Sequence, residues 1–334
     1  MDPKVAIKII EAFVEDHFEV NRLVSISTQV SLRDETSRGL PDMKIEVLNR
    51  DNQRMQVWIE NKWGAFADPD QLTRYLGYLD LQEPAVPKHL VLLTPRHTDA
   101  KVCPASKSNI ALTHMSWSKI HEVVKAHRVH AITNEFEAFL SEQQLVVQPI
   151  TLAAAREHYR MLKANEDRRV TRLRGNLETL CGRVLDELPR TELSQDAYLS
   201  VSFGRVGLWM FRERITIGLM TDPYDHASAF LDDARPLDLI VRVEGPYEKT
   251  EAEHERANLA PLVRVLETAG YACDQGSWRT NKHTVLLGHY RQGFRFDVGA
   301  DEQVQWVLDV FTQTLSVIES DESLMKLLQK VRHY

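Results

Sequence analysis

Along the first half of the chain the apolar positions change period several times, and each change marks an element. Residues 4–20 place Val5, Ile9, Ala12, Phe13 and Val20 at helical spacing, which predicts an amphipathic helix. From Met43 to Leu48 the period falls to two, with Met43, Ile45 and Val47 on one face and Lys44, Glu46 and Leu48 on the other. Asn49 to Arg54 is a polar turn segment, and Met55 to Trp63 is rich in β-formers. Together these predict a hairpin with Met43 opposite Glu60. Asp68 followed by Pro69 marks the start of a helix, with Asp68 as N-cap. Leu90 to Pro95 is a short apolar run suited to a buried strand, and Ile110 to Thr113 suggests one more. Strand, helix and strand in this order imply a right-handed crossover. Trp117 to Ala126 and Thr133 to Gln144 read as helices. Ser116 or Ser118 would cap the first and Thr133 the second, with Phe136 and Phe139 facing inward.

The pattern shifts near Val146-Val147-Gln148-Pro149. Residues 151–188 are strongly helical. Tyr198 to Phe203 and Leu208 to Leu219 alternate as strands about a turn at Gly204-Arg205-Val206-Gly207. Leu237 to Val243 and Thr284 to Tyr290 add strands, Glu251 to Ala269 a helix, and Asp301 to Val331 a terminal helix interrupted near Asp321. The expected organisation is a first domain over 1–146, a helical connector over 147–190 and an α+β domain over 191–334. No internal repeat or low-complexity stretch interrupts it.

Composition narrows the class. A chain of 334 residues suits two domains, and 43% hydrophobic residues suffices for their cores. No apolar run approaches the roughly 20 residues of a membrane span, and Met-Asp-Pro-Lys-Val carries no signal-peptide pattern. Cys103, Cys181 and Cys273 are scattered and lack zinc spacing, and the histidines form no His-x-x-x-His pair on a helix and no compact zinc cluster. A soluble, cytoplasmic protein is expected. The net charge of −7 disfavours a strong general grip on phosphates. The best local basic segment is Arg156 to Arg174, including Arg168, Arg169 and Arg172, although a solvated helix face explains such a run equally well.

The candidate chemistry lies in the hairpin. Asp42, after Gly39-Leu40-Pro41, starts one strand, and Glu60-Asn61-Lys62 ends the next. Glu60 and Lys62 are two apart, so both point to one face. Two carboxylates suit a hard cation such as Mg²⁺ or Mn²⁺, which lowers the pKa of a bound water and neutralises phosphoryl charge. Lys62 would orient the water or stabilise the transition state. The bland alternative is a surface hairpin with a Glu60–Lys62 ion pair.

Gln71 and Tyr75 lie one helical turn apart, directly after the Glu-x-Lys strand. Gln71 could instead form a capping box with Asp68. With Pro41-Asp42, Glu60-Asn61-Lys62 and Gln71-x-x-x-Tyr75, residues 1–140 resemble the PD-(D/E)XK nuclease superfamily. The resemblance implies an α/β, restriction-endonuclease-like mixed sheet flanked by helices, followed here by the second α+β domain. It also implies metal-dependent hydrolysis of nucleic acid, with DNA foremost, in restriction, anti-phage defence or repair. Asp42 and Glu60 would hold the metal, and Gln71 and Tyr75 would support substrate binding. A supporting glutamate on the first helix is also implied, and Glu15, central in the row Glu11, Glu15, Glu19, is the choice. A homodimer or a companion defence protein is compatible with this. The competing reading is a catalytically inactive module with the same fold that binds nucleic acid or a protein. Asp222, Asp225 and His226, and the aromatics Trp209, Phe211, Trp278 and Tyr290, are further candidates for contacts in the second domain.

Overall fold

The computed structural model describes residues 3–14, 18–29, 32–33, 38–39, 41–62, 68–95, 110–126, 131–143, 145–164, 172–202, 205–211, 215–221, 231–244, 259–274 and 284–330. The chain divides into two compact units, Met1–Val146 and Val147–Tyr334.

The first unit begins with helix α1 (Pro3–Val14) and strand β1 (Arg22–Thr28), then a short ribbon of β2 (Leu32–Arg33) and β3 (Arg38–Gly39). The predicted hairpin follows as β4 (Met43–Leu48) and β5 (Arg54–Asn61). Helix α2 (Pro69–Leu81), strands β6 (Lys88–Thr94) and β7 (Ile110–Ser116), and helices α3 (Trp117–Ala126) and α4 (Ala131–Glu142) complete it. The main sheet has the order β1-β4-β5-β6-β7. Its first three strands pair antiparallel, whereas β5, β6 and β7 run parallel.

Both faces of this sheet are covered, so β6 is buried along its whole length. Ile45, Val57, Ile59, Val91 and Leu93 pack with Ile10, Phe13 and Val14 of α1 and Ile120 and Val124 of α3. Trp58, Leu90 and Leu92 face the other way, against Leu72, Tyr75, Leu76 and Leu79 of α2. The α/β class with a mixed sheet flanked by helices is therefore the observed architecture. Several boundaries differ from expectation. Strand β1 was not foreseen. Thr133 lies inside α4, which starts two residues earlier, and Phe139 is 43% exposed whereas Phe136 packs against Trp117.

The second unit holds α5 (Leu152–Lys163), α6 (Arg172–Glu187), β8 (Tyr198–Ser202), β9 (Arg205–Met210), β10 (Ile215–Met220) and β11 (Asp238–Glu244). It continues with α7 (Ala260–Thr268), β12 (Tyr271–Asp274), β13 (Thr284–Tyr290), α8 (Ala300–Glu319) and α9 (Glu322–Lys330). Its sheet, ordered β12-β13-β11-β10-β9-β8, is antiparallel throughout. Of the residues expected to turn at 204–207, Gly204 lies outside the described residues, and Arg205, Val206 and Gly207 instead pair as part of β9, with Ser202 opposite Arg205. The stretch Leu208 to Leu219 is two strands, because Ile215 pairs back onto Met210. The break near Asp321 separates α8 from α9.

The segment expected to be a connector packs into this second unit. Leu177, Leu180 and Val184 of α6 lie in a core with Leu208, Ile217, Val241, Leu262, Phe311 and Leu315. Tyr159 of α5 packs on the opposite sheet face against Met220, Ile240 and Leu287. His158 of α5 is buried, with its ring Nε2 3.1 Å from the Thr221 hydroxyl. Burial first, and the charge of Arg174 second, push His158 down to about 4.

Two kinds of prediction follow from packing within the units. Gly207 and Gly218 face each other across β9 and β10, and a Cβ on Gly218 would lie 2.6 Å from the Val206 carbonyl oxygen and the Gly207 Cα. Gly218→Ala should therefore destabilise the second unit by about 1–3 kcal/mol. Gly77 in α2 has nothing within 4 Å of its Cβ position, so Gly77→Ala should stabilise by about 0.5–1 kcal/mol; denaturant titration checks both. The second prediction concerns acid. His158 is neutral in the fold until about pH 4, whereas its unfolded form takes a proton below about 6.5, so its contribution weakens as pH falls through that window. Between about pH 7 and pH 5 the wild type should lose about 2 kcal/mol more than His158→Gln in urea unfolding. Equal losses would contradict it.

Candidate functional site

The β4–β5 register decides which side chains meet. Met43 pairs with Ile59 and Lys44 with Trp58. Continuing by one residue sets Asp42 opposite Glu60, one position away from the expected Met43–Glu60 match. The cause is the turn. Asn49 accepts from the Asp51 and Gln53 amides through its side chain, and Asn52 adopts φ 61°, so β5 starts at Arg54 rather than Met55. Residues directly opposite in an antiparallel pair point to the same face. The correction thus places the two carboxylates on one face, in one row.

Asp42 is held at both ends. Its carbonyl accepts from Gln29 N (2.9 Å), at the end of the unforeseen β1, and its Oδ2 accepts from Asn61 N (2.7 Å). The role of the Asn61 amide was missed from sequence, because it depends on the register. Lys62 lies just past β5, and its backbone N donates to the Leu93 carbonyl of β6 (2.9 Å). That bond keeps the chain on the sheet long enough for Lys62 to lie alongside Glu60.

Helix α2 supplies the third side of the site. Asp68 caps it by accepting from Asp70 N (2.9 Å). Gln71 does not complete a capping box, and its amide turns to the sheet instead. Gln71 Nε2 donates to Glu60 Oε1 (2.9 Å) and to the Tyr75 hydroxyl (2.7 Å), while Gln71 Oε1 accepts from Lys62 Nζ (2.6 Å). Lys62 Nζ also lies 2.7 Å from Glu60 Oε1. One amide therefore fixes the carboxylate and the ammonium at once, and Tyr75, buried at 3% exposure, fixes the amide.

The ion pair alone is what an inert surface hairpin would also contain. Two facts separate this site from that reading. Glu60 is 4% exposed, so the pair is not at the surface. Its second oxygen, Oε2, is buried and has no hydrogen-bond partner. A buried anionic oxygen without a donor is costly, and a cation offsets that cost. Among the described residues no group of three or more His, Cys, Asp and Glu side chains could hold a metal. Two carboxylates are nonetheless sufficient for Mg²⁺, which retains several waters and takes the rest of its shell from substrate phosphates. Asp42 and Glu60 fit that donor set.

Glu15 falls outside the described residues, as do Arg168, Arg169, Asp222, Asp225, His226 and Trp278. Arg172 opens α6, with its side chain outside the described set. Two arginines of the same basic segment bind Asp233 at the surface: Arg156 Nε donates to the Asp233 carbonyl (2.6 Å), and Arg160 is bidentate to the Asp233 carboxylate (3.2 and 3.1 Å). Arg160, through hydrogen bonding and charge, holds the Asp233 carboxyl below its usual range. Tyr290 is a core residue, packed against Tyr271 and Trp306. Trp209 is half-buried beside Tyr198, with Arg205 over its ring, and Phe211, also half-buried, packs against the same core.

Comparison with known proteins agrees with the geometry. No curated protein and no solved structure matches the chain. The family model of the PD-(D/E)XK nuclease superfamily matches residues 4–143, almost the whole first unit and less than half of the chain. That span contains Asp42, Glu60, Lys62, Gln71 and Tyr75 and the mixed sheet that gathers them, so the first unit is similar to the PD-(D/E)XK nuclease superfamily in both sequence and fold.

Proposed function

We propose that the first unit is a metal-dependent nuclease that hydrolyses phosphodiester bonds of nucleic acid, DNA in the first instance. The observation that carries this reading is the buried, unpartnered Glu60 Oε2, set in a row with Asp42 and beside a fixed Lys62. The superfamily match supports nucleic acid as the substrate class.

Asp42 and Glu60 would hold Mg²⁺ or Mn²⁺. When bound, the ion would supply Lewis acidity, acidifying water and neutralising phosphoryl charge. The rest is the work of the chain's own groups. The Lys62 ammonium is fixed by Gln71 Oε1 and Glu60 Oε1, so a donor faces the place where phosphoryl charge develops and does not have to reorganise. Gln71 is a positioning residue. It holds Glu60 and Lys62 at hydrogen-bond distance and is itself set by Tyr75. The apolar floor of Trp58, Leu90 and Leu92 excludes water beneath the row and strengthens the electrostatics above it.

Cleavage of labelled double-stranded DNA, single-stranded DNA and RNA, with Mg²⁺ or Mn²⁺, tests the proposal. Asp42→Asn, Glu60→Gln and Lys62→Ala should each lower kcat by about 10²-fold or more. Gln71→Ala should lower activity by about 10- to 100-fold and weaken apparent metal affinity, while Tyr75→Phe should cost less than Gln71→Ala. Full activity in folded Asp42→Asn and Lys62→Ala would overturn the assignment.

A further inference from the structure

The registers that align Asp42 with Glu60 continue across the sheet. Glu60 pairs with Leu92, and Leu92 with His114. Asp42, Glu60, Leu92 and His114 thus form one row on the α2 face. The next row toward the same end holds Thr94 and Ser116, paired across β6 and β7, and by continuation Lys62 beside Thr94. Leu92 is fully buried, so His114 is the first polar group beyond the carboxylates in that row. It stands on the edge strand β7 and is only half-buried.

The ring has a fixed orientation. His114 Nε2 lies 2.8 Å from Thr94 Oγ1, and Thr94 is 0% exposed. All three parallel strands, β5, β6 and β7, end at this side of the sheet, where ligands of parallel sheets bind. Strand β7 also runs directly into α3, which brings the positive end of that helix to the same edge. Two strand spacings, about 9.6 Å, separate the backbones at Glu60 and His114. A nucleic acid strand advances about 3.4 Å per nucleotide along its axis. A strand with its scissile phosphate at Asp42 and Glu60 that follows this row would therefore pass His114 within a few nucleotides of the cut.

We propose that His114, oriented by Thr94, binds the phosphate backbone of the substrate beside the scissile position and sets the strand's path across the sheet. The proposal rests on the nuclease reading of the same face. A contact outside the reacting phosphate contributes equally to ground and transition states, so it acts on KM and leaves kcat alone.

Steady-state cleavage of labelled oligonucleotides by the full chain separates these effects. His114→Ala should raise KM about tenfold with kcat within about twofold. Thr94→Val, which frees the ring without removing it, should raise KM by less. His114→Gln, which keeps an N–H donor, should recover part of the loss even if His114→Ala folds poorly. Mn²⁺ binding at Asp42 and Glu60 should be unchanged in all three. A wild-type KM in folded His114→Ala and His114→Gln would overturn the proposal, as would a loss confined to kcat. In either case the wild-type enzyme still cleaves, so the nuclease reading survives. Absence of both cleavage and nucleic-acid binding by the intact protein would overturn both readings together.

Discussion

The cross-strand register of β4 and β5 is the constraint on which the site depends. It is set by a five-residue turn closed by the Asn49 side chain, and it aligns Met43 with Ile59. A slip of one residue would send Asp42 to the opposite face, because side chains alternate along a strand. The register therefore determines whether two carboxylates share a site at all. It resists slippage because both faces are buried: Ile45, Val57 and Ile59 lie against α1 and α3, and Trp58 against α2. The core is thus the device that holds two like charges in one row, which neither would choose in isolation.

Helix α2 converts that row into a chemically poised one. Gln71 is neutral, so it can bridge a carboxylate and an ammonium without adding charge, offering its N–H to one and its carbonyl to the other. A carboxylate here would repel Glu60 and a lysine would compete with Lys62. One oxygen of Glu60 is satisfied by this bridge and the other is left without a donor in a buried place. The asymmetry within a single carboxylate is what distinguishes a site prepared for a cation from an internal salt bridge that is already complete.

Much of this was legible in the sequence, for reasons that can be named. The period-two run at Met43 to Leu48, the Asp68-Pro69 helix start and the apolar run before Pro95 each encode their element locally, and each appears where expected. Asp42, Glu60 and Lys62 could be singled out because hairpin spacing brings them close, and Gln71 and Tyr75 because they share a helix face and the superfamily resemblance implies their place at such a site. What was not legible depends on non-local pairing. Strand β1 has one face exposed and a bulge between Leu23 and Ser25, so its alternation is blurred. The Asn61 amide and His114 join the site only through register, carried over one strand and two. In the second unit, Arg205 and Val206 looked like part of a turn because Gly204 and Gly207 bracket them. Gly207 is in fact there for close backbone approach to Gly218. The helices of 151–188 looked like a connector because helical periodicity does not say what the apolar stripe packs against.

The proposed function requires Asp42 and Glu60 to hold one divalent cation, with Gln71 and Lys62 around it but not ligating it. Titration of the full chain with Mn²⁺, followed by calorimetry or by the resonance of free Mn²⁺, tests this without reference to any substrate. The wild type should show a site that is lost in both Asp42→Asn and Glu60→Gln and retained in Lys62→Ala. Binding that persists unchanged in either carboxylate variant, or a wild type that binds no Mn²⁺, would contradict it.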